Sequence, residues 1–232
     1  MKYRTKTIKS GDLLELEIYP IIETKGGKRK QRLNPTGEQQ VRINRKNRER
    51  KLLRKIYCNF NKGDIFLTLT FKQKIDEAAA RKSIVNYLRR LRRLYKKENK
   101  ELKYIYVMEY GKSNYHFHLI INEFDRAALI KNWKEGFVDI KSLREDYESL
   151  AKYLLKESNG GRAWNCSKNL KEPKITTNDS KFSRRRVEKM RDKLELFSIV
   201  EKLYPNYTYK ESFVKEGIFI DGLYCYIKMR HE

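Results

Sequence analysis

The chain has 232 residues, of which 39% are hydrophobic and 12% aromatic, so it can bury the core of one domain with a small appendage. Lys and Arg number 54 against 30 acidic residues, which gives a net charge of +24. This excess predicts a polyanionic partner, and nucleic acid is the simplest candidate. Charge alone leaves open a ribosomal-type or merely soluble basic protein.

Cysteine usage and hydropathy exclude several other classes. Cys58, Cys166 and Cys225 are widely spaced with no Cys-x-x-Cys pair, which predicts reduced thiols and argues against a zinc ribbon or a disulfide framework. No apolar run approaches the roughly 18 to 20 residues of a membrane span, and the first residues lack the apolar core of a signal peptide. We therefore expect a cytoplasmic protein with no membrane partner.

The first quarter of the chain combines a predicted hairpin with a basic helix. Residues 3–9 and 13–22 alternate around Ser10-Gly11-Asp12, which predicts two strands and a turn. Residues 37–58 predict a helix whose cations have few acidic neighbours. That helix is either a solvated surface or an arm that follows phosphates, and the sequence favours neither.

A strand and a long helix follow. The segment Phe66–Phe71 alternates, with Phe66, Thr68 and Thr70 on one face and leucines and Phe71 on the other, which predicts a central strand. Residues 76–98 carry apolar side chains at helical spacing, with cations on the outer face.

The segment from Lys103 to Asn122 predicts a hairpin with a turn at residues 111–114. His116 and His118 share one face of its second strand. If the turn centres on Ser113 and Asn114, Glu109 lies opposite His118 on that same face. A His-x-His pair by itself is more often a polar strand face, but two imidazoles and a carboxylate together suit a divalent cation.

The remaining elements complete an α+β pattern. Residues 124–135 predict a helix ending at Gly136, residues 137–140 a short extended piece, and residues 144–157 another helix. The order predicts a central antiparallel sheet backed by helices, in a split βαβ arrangement. Residues 160–170 predict a polar loop and 173–180 a linker. A basic helix from Phe182 to about Tyr204 and a hairpin over 207–229 complete the chain.

These boundaries predict three regions. Residues 1–58 form an N-terminal hairpin and basic helix packed on the core, residues 59–172 form the core, and residues 173–232 form a C-terminal helix and hairpin extension. Both terminal regions are basic extensions of the central fold.

Three short segments, in this order, resemble the HUH endonucleases, and more closely the rolling-circle replication initiators (Rep proteins) of plasmids, phages and integrative elements. They are the strand Phe66–Phe71, the hydrophobe-flanked His116-Phe117-His118, and Tyr153-Leu154-Leu155-Lys156. Relaxases place the tyrosine before the histidines. The resemblance covers about residues 60–170.

The resemblance implies nicking and joining of single-stranded DNA. Glu109, His116 and His118 would hold Mg²⁺ or Mn²⁺, and Tyr153 would attack the scissile phosphate, forming a 5′-phosphotyrosine and freeing a 3′ hydroxyl for polymerase. Lys156, three residues from Tyr153 and so on the same helix face, would with the metal stabilise the phenolate. Tyr147 lies well round the helix and is not expected to be a second nucleophile.

DNA contacts are expected from residues beside this site. Thr68 and Thr70 would line it or touch the sugar-phosphate backbone, although β-branched residues are common in any strand. Lys112, Arg162, Trp164 and Lys168 supply phosphate contacts and a stacking surface. The expected partners are single-stranded or origin hairpin DNA, a host polymerase and, since no Walker phosphate loop is present, a host helicase. The alternatives are a single-strand HUH transposase and a non-catalytic nucleic-acid-binding protein.

Overall fold

A computed structural model describes residues 1–21, 37–111, 114–156, 164–216 and 221–231. Its contacts divide the chain into two compact units. One unit joins the two ends of the chain, Met1–Val41 and Glu172–Glu232, and the other is the continuous segment Arg42–Lys171.

Ten strands and six helices lie in the described residues. The strands are β1 (Tyr3–Ser10), β2 (Leu13–Pro20), β3 (Ile65–Phe71), β4 (Tyr104–Tyr110), β5 (Tyr115–Ile121), β6 (Gly136–Ser142), β7 (Asn165–Cys166), β8 (Lys174–Asn178), β9 (Tyr207–Glu216) and β10 (Leu223–His231). The helices are α1 (Glu38–Asn59), α2 (Glu77–Lys97), α3 (Arg126–Asn132), α4 (Tyr147–Leu154), α5 (Arg184–Lys189) and α6 (Lys193–Leu203).

The central unit is built on a five-stranded sheet in the order β6-β3-β5-β4-β7. Every neighbouring pair is antiparallel. Strands β3 and β4 are therefore parallel to each other, with β5 between them and α2 connecting them, which is a split βαβ unit. The predicted α+β class is confirmed, with two antiparallel sheets in the whole chain instead of one central sheet.

One face of this sheet packs against α2 and α3. Leu67, Leu69, Phe117 and Leu119 come from the sheet and are fully buried against the apolar side of α2. Helix α2 begins where predicted, because the Asp76 carboxylate accepts a hydrogen bond from the Ala79 amide at 2.8 Å. The functional residues lie on the opposite face of the sheet.

Two predicted helices of this unit are shorter than expected. Helix α3 starts after Asp125, and α4 starts after Asp146, because each aspartate caps the free amides of the first turn. The predicted start at residue 144 is therefore wrong by three residues. The extended piece predicted over 137–140 is the longer strand β6, which pairs with β3 along its whole length.

The unit formed by the chain ends has its own sheet, in the order β8-β1-β2-β10-β9. The predicted N-terminal hairpin and C-terminal hairpin are both present, and β2 pairs with β10. Apolar residues of this sheet, including Leu16, Ile18 and Ile227, pack with residues of α5 and α6 in a second core.

Two predictions in this unit are wrong. The segment expected to be a linker contains β8, an edge strand whose residues are all exposed, so no apolar alternation marked it. The single basic helix expected after Phe182 is two helices. Asp192 accepts hydrogen bonds from the amides of Leu194 and Glu195 and so starts α6 as a separate element.

No helix among the described residues is long and apolar enough to cross a membrane. The three cysteines are free thiols, and burial raises the pKa of Cys225 to about 12.

Candidate metal centre and tyrosine site

The β4–β5 hairpin positions the predicted cluster, in a register that differs from the predicted one. Glu109 pairs with His116, and Val107 pairs with His118. The prediction of Glu109 opposite His118 was wrong by two residues. The loop is closed by Tyr110 pairing with Tyr115 and by the Gly111 amide donating to the Asn114 carbonyl at 2.9 Å. Because side chains alternate with period two, a slip of two residues leaves all three side chains on one face.

The residues of this face form three rows across four strands. Residues directly opposite each other in antiparallel strands share a face, and the pairings of β6, β3, β5 and β4 connect them. From β6 to β4, the rows are Phe137, Thr70, His116 and Glu109; then Asp139, Thr68, His118 and Val107; then Lys141, Phe66, Ile120 and Ile105. The face is thus polar at the hairpin end and apolar at the other.

Three side chains converge in these rows. The Glu109 Oε2 atom lies 3.2 Å from Nε2 of His116 and 3.2 Å from Nε2 of His118. One ligand atom from each residue lies within 4.8 Å of the other two. Two imidazole nitrogens and a carboxylate oxygen are a donor set that suits a borderline divalent cation, and three protein ligands leave coordination positions open. The residues present therefore fit a divalent metal ion.

His118 is the most enclosed of the three, with 4% of its surface exposed. Its Nδ1 lies 3.2 Å from the Thr68 hydroxyl, and its ring stacks on Phe66. In the tautomer whose Nδ1–H donates to Thr68, the Nε2 lone pair points into the cluster. Burial, and then the neighbouring His116, lower the pKa of His118, against the raising effect of Glu109. The ring is thereby kept neutral, which is the form that binds metal.

His116 depends on a glycine whose role was not predicted from the sequence. A Cβ atom on Gly111 would lie 2.9 Å from Cε1 of His116 and 3.1 Å from its Nδ1. The His116 ring therefore occupies space that any other residue at position 111 would take. A glycine at the edge of the turn was visible in the sequence, but the ring that packs over it was not.

Tyr153 on α4 lies directly beside the cluster. Its hydroxyl is 3.3 Å from Nε2 of His118, and its ring meets those of Phe66 and His118 edge-on. The side chain is 51% exposed, so the phenol can be reached from solvent. Partial burial, and then the charge of Glu109, raise the pKa of Tyr153, whereas Lys141 lowers it. By contrast, Tyr147 is buried and donates to the Phe60 carbonyl.

The lysine that acts on the phenol is Lys141 on β6, which was not predicted as a site residue. Lys141 sits opposite Phe66 in the third row and also forms an ion pair with Asp139 at 2.9 Å. The signal was present: Val138 and Ile140 alternate with Phe137, Asp139 and Lys141, which places these three on the polar face. Lys156 lies just past the end of α4 and is exposed.

The other predicted site residues are distributed unequally. Thr68 contacts His118, and Thr70 lies opposite His116, with its hydroxyl 3.4 Å from the Phe137 carbonyl. Trp164 precedes β7 at the edge of the sheet. The Ser167 amide bonds to the Tyr104 carbonyl at the far end of β4, so Lys168 lies roughly 20 Å along the strand from Glu109. Lys112 and Arg162 lie outside the described residues.

Comparison with known families agrees with this location. Residues 64–158, less than half of the chain, match a family model described as "Replication-associated protein", of the ORF2 group. The matched segment contains β3, the metal-fitting hairpin and Tyr153. Searches of curated proteins and of solved structures each found no significant match. The family match supports a role in the initiation of replication.

Proposed function

We propose that this protein is a metal-dependent endonuclease that nicks and rejoins single-stranded DNA through Tyr153 and so initiates rolling-circle replication. The observation that carries the proposal is the convergence of Glu109, His116 and His118 within reach of an accessible phenol. An incidental pair of histidines would require neither the carboxylate nor the tyrosine at that place.

Each residue has a role in the proposed reaction. Glu109, His116 and His118 would hold the divalent cation, Mg²⁺ or Mn²⁺. That cation would neutralise charge on the oxygens of the scissile phosphate. Thr68 holds the His118 ring in its ligating tautomer. Lys141 stabilises the negative charge of the Tyr153 phenolate, and Lys156 provides a second cation at the end of the same helix.

The covalent step exchanges one phosphodiester for another. The Tyr153 oxygen forms a bond to phosphorus as the bond from phosphorus to the 3′ oxygen breaks. The half-exposed phenol releases its proton to water, and the departing 3′ oxygen takes one up. Because no phosphodiester is lost, a later 3′ hydroxyl can reverse the step without ATP. The free 3′ end would serve a host polymerase, and a host helicase would separate the strands.

The strand to be cut would lie across the polar rows of the sheet. Thr70 is placed beside His116, and the DNA contacts proposed for Thr68, Lys112, Arg162, Trp164 and Lys168 would extend the path on either side. The net charge of +24 would supply the nonspecific part of the binding energy.

Incubation with single-stranded oligonucleotides that tile the DNA around the protein's own gene tests the proposal. With Mn²⁺ and a label at the 3′ end, we expect a protein–DNA adduct that survives denaturation. The adduct should vanish with EDTA and in Tyr153→Phe. Tyr110→Phe is the matched control, because Tyr110 is 55% exposed and lies on the same hairpin as the metal ligands.

An adduct that persists in Tyr153→Phe would reject Tyr153 as nucleophile. Binding without any adduct, in every metal tested, would instead favour the non-catalytic nucleic-acid-binding protein.

A further inference from the structure

A cavity of about 590 Å³ opens beside the hairpin end of the site. Its walls are the residues that follow β3 and those that lead into β6. They are Phe71, Lys72, Gln73, Lys74, Ile75, Lys134, Glu135, Gly136 and Phe137. This volume is in the range of small-molecule sites, and nothing in the proposed reaction uses it.

Phe137 connects the cavity to the metal-fitting cluster. It is 68% exposed, more than any other aromatic residue described. It stands in the first row, opposite Thr70, which is itself opposite His116. Two strand spacings, about 10 Å, therefore separate Phe137 from His116 across the sheet. An exposed aromatic face at this distance is suited to stack on a base next to the phosphate in the site.

The cavity is also positively charged. Lys72, Lys74 and Lys134 are exposed, and none has an ion pair with any residue in the described part of the chain. Against the single carboxylate of Glu135, the three lysines leave a net charge of +2. Aromatic surface with unpaired cations beside it is the combination that binds nucleotides of a single strand.

The walls of the cavity are held in place from the metal-fitting hairpin. The Asn114 side chain donates to the Gln73 carbonyl at 2.7 Å and accepts from the Ile75 amide at 3.2 Å. On the other side, a Cβ on Gly136 would lie 2.2 Å from the Thr70 carbonyl oxygen, so only glycine permits this close approach. The cavity and the cluster thus belong to one rigid framework, and the cavity does not require rearrangement to admit a ligand.

We propose that this cavity binds one nucleotide of the DNA strand, with its base stacked on Phe137 and its phosphates beside Lys72 and Lys74. The nucleotide flanks the phosphate that Tyr153 attacks, and this assignment rests on the proposed nuclease function for the identity of the strand. The pocket fixes the position of the strand relative to the metal ligands and makes contact with a base there.

Binding of two probes tests the two halves of the proposal. Fluorescence anisotropy would measure the affinity for labelled oligo(dT) and for an abasic oligomer of equal length. Both are measured in a Tyr153→Phe background, so that no chemical step is involved. We expect Phe137→Ala to weaken oligo(dT) binding about 10-fold and to leave the abasic oligomer unchanged. Phe137→Leu, which keeps an apolar side chain, should weaken it as well, and Phe137→Trp should not.

Changing the lysines should have the opposite selectivity. Lys72→Gln with Lys74→Gln should weaken both probes and reduce the salt dependence, the slope of log K against log salt concentration, by about 1.4. Ile130→Ala is the control, because Ile130 is 51% exposed on α3, away from the site face. Equal affinity of Phe137→Ala and the parent protein for oligo(dT), or equal losses for both probes, would overturn the proposal. Absence of a covalent adduct in the tiling experiment would reject the nuclease function and leave this binding result unaffected.

Discussion

At the scale of single residues, the properties of His118 follow from what surrounds its ring. The Thr68 hydroxyl holds Nδ1, Phe66 covers one face, and Tyr153 meets the edge. Enclosure lowers the pKa of the imidazole and limits its rotation. The result is a ligand presented in one tautomer and one orientation before any metal binds.

Gly111 should be as important for metal affinity as a ligand's hydrogen-bond partner. In Gly111→Ala, the new methyl group would displace the His116 ring, since their atoms would lie 2.9 Å apart. We expect the affinity for Mn²⁺, measured by titration calorimetry, to fall about 10-fold. Gly37→Ala is the matched control, because a Cβ there meets no atom within 4 Å. Unchanged affinity in Gly111→Ala would show that the ring is not held by this contact.

Lys141 and Lys156 provide a comparison of two cations on the same phenol. Removal of the Lys141 charge should raise the pKa of Tyr153, because this lysine lowers it in the intact protein. In Lys141→Gln, the phenolate fraction near neutral pH would fall. The rate of adduct formation would drop about threefold, and its pH profile would move to higher pH. The measurement is the rate against pH in both variants. A larger displacement in Lys156→Gln would assign the role to Lys156 instead.

The alternation of strand residues was sufficient to predict which side chains share the site face. Glu109, His116, His118 and Thr68 were placed together from period two alone, and the error of two residues in register did not change their face. Gly111 and Lys141 were not predicted, because their effects depend on contacts between residues that alternation does not connect: a ring packed over a glycine, and a charge brought near from β6.

At the scale of elements, α4 determines where the phenol lies. The helix is two turns long, and the Asp146 side chain accepts a hydrogen bond from the Ser149 amide at 3.1 Å. That hydrogen bond lowers the pKa of Asp146, so the carboxylate is charged and well placed near the N-terminus of the helix.

Asp146→Ala should reduce catalysis without affecting the metal ligands. Loss of the cap costs about 1 kcal/mol of stability and frays the helix that carries Tyr153. We expect slower adduct formation with unchanged affinity for Mn²⁺. Asp125→Ala removes the matching cap of α3, on the other face of the sheet, where the side chain accepts from the amides of Ala127 and Ala128. An equal loss of rate in the two variants would attribute the effect to general destabilisation.

Elements with a strong internal pattern were predicted well, and those defined by distant partners were not. Helix α2 was placed to within one residue at each end by its apolar spacing and Asp76. Strand β8 was missed because its residues are exposed and only pairing with β1 makes it a strand. The break between α5 and α6 was missed because Arg191 and Asp192 suit both a helix interior and a cap.

At the scale of the whole molecule, the chain has two cores, each with its own five-stranded antiparallel sheet. The residues expected to be extensions at both ends instead form one unit, in which β2 pairs with β10. Local sequence patterns carry no information about a pairing between the two ends of the chain, so this arrangement could not be foreseen. The net charge of +24 belongs to this scale as well, and it predicts strongly salt-dependent binding of nucleic acid.

The central claim is that Glu109, His116 and His118 bind one metal ion beside Tyr153. Calorimetric titration of the intact protein with Mn²⁺ tests it most directly. The claim predicts one ion per chain, with binding lost in Glu109→Ala and in His118→Ala and retained in His231→Ala, which changes the third histidine of the chain. Failure of the intact protein to bind Mn²⁺ and other divalent cations, or full affinity in His118→Ala, would contradict it.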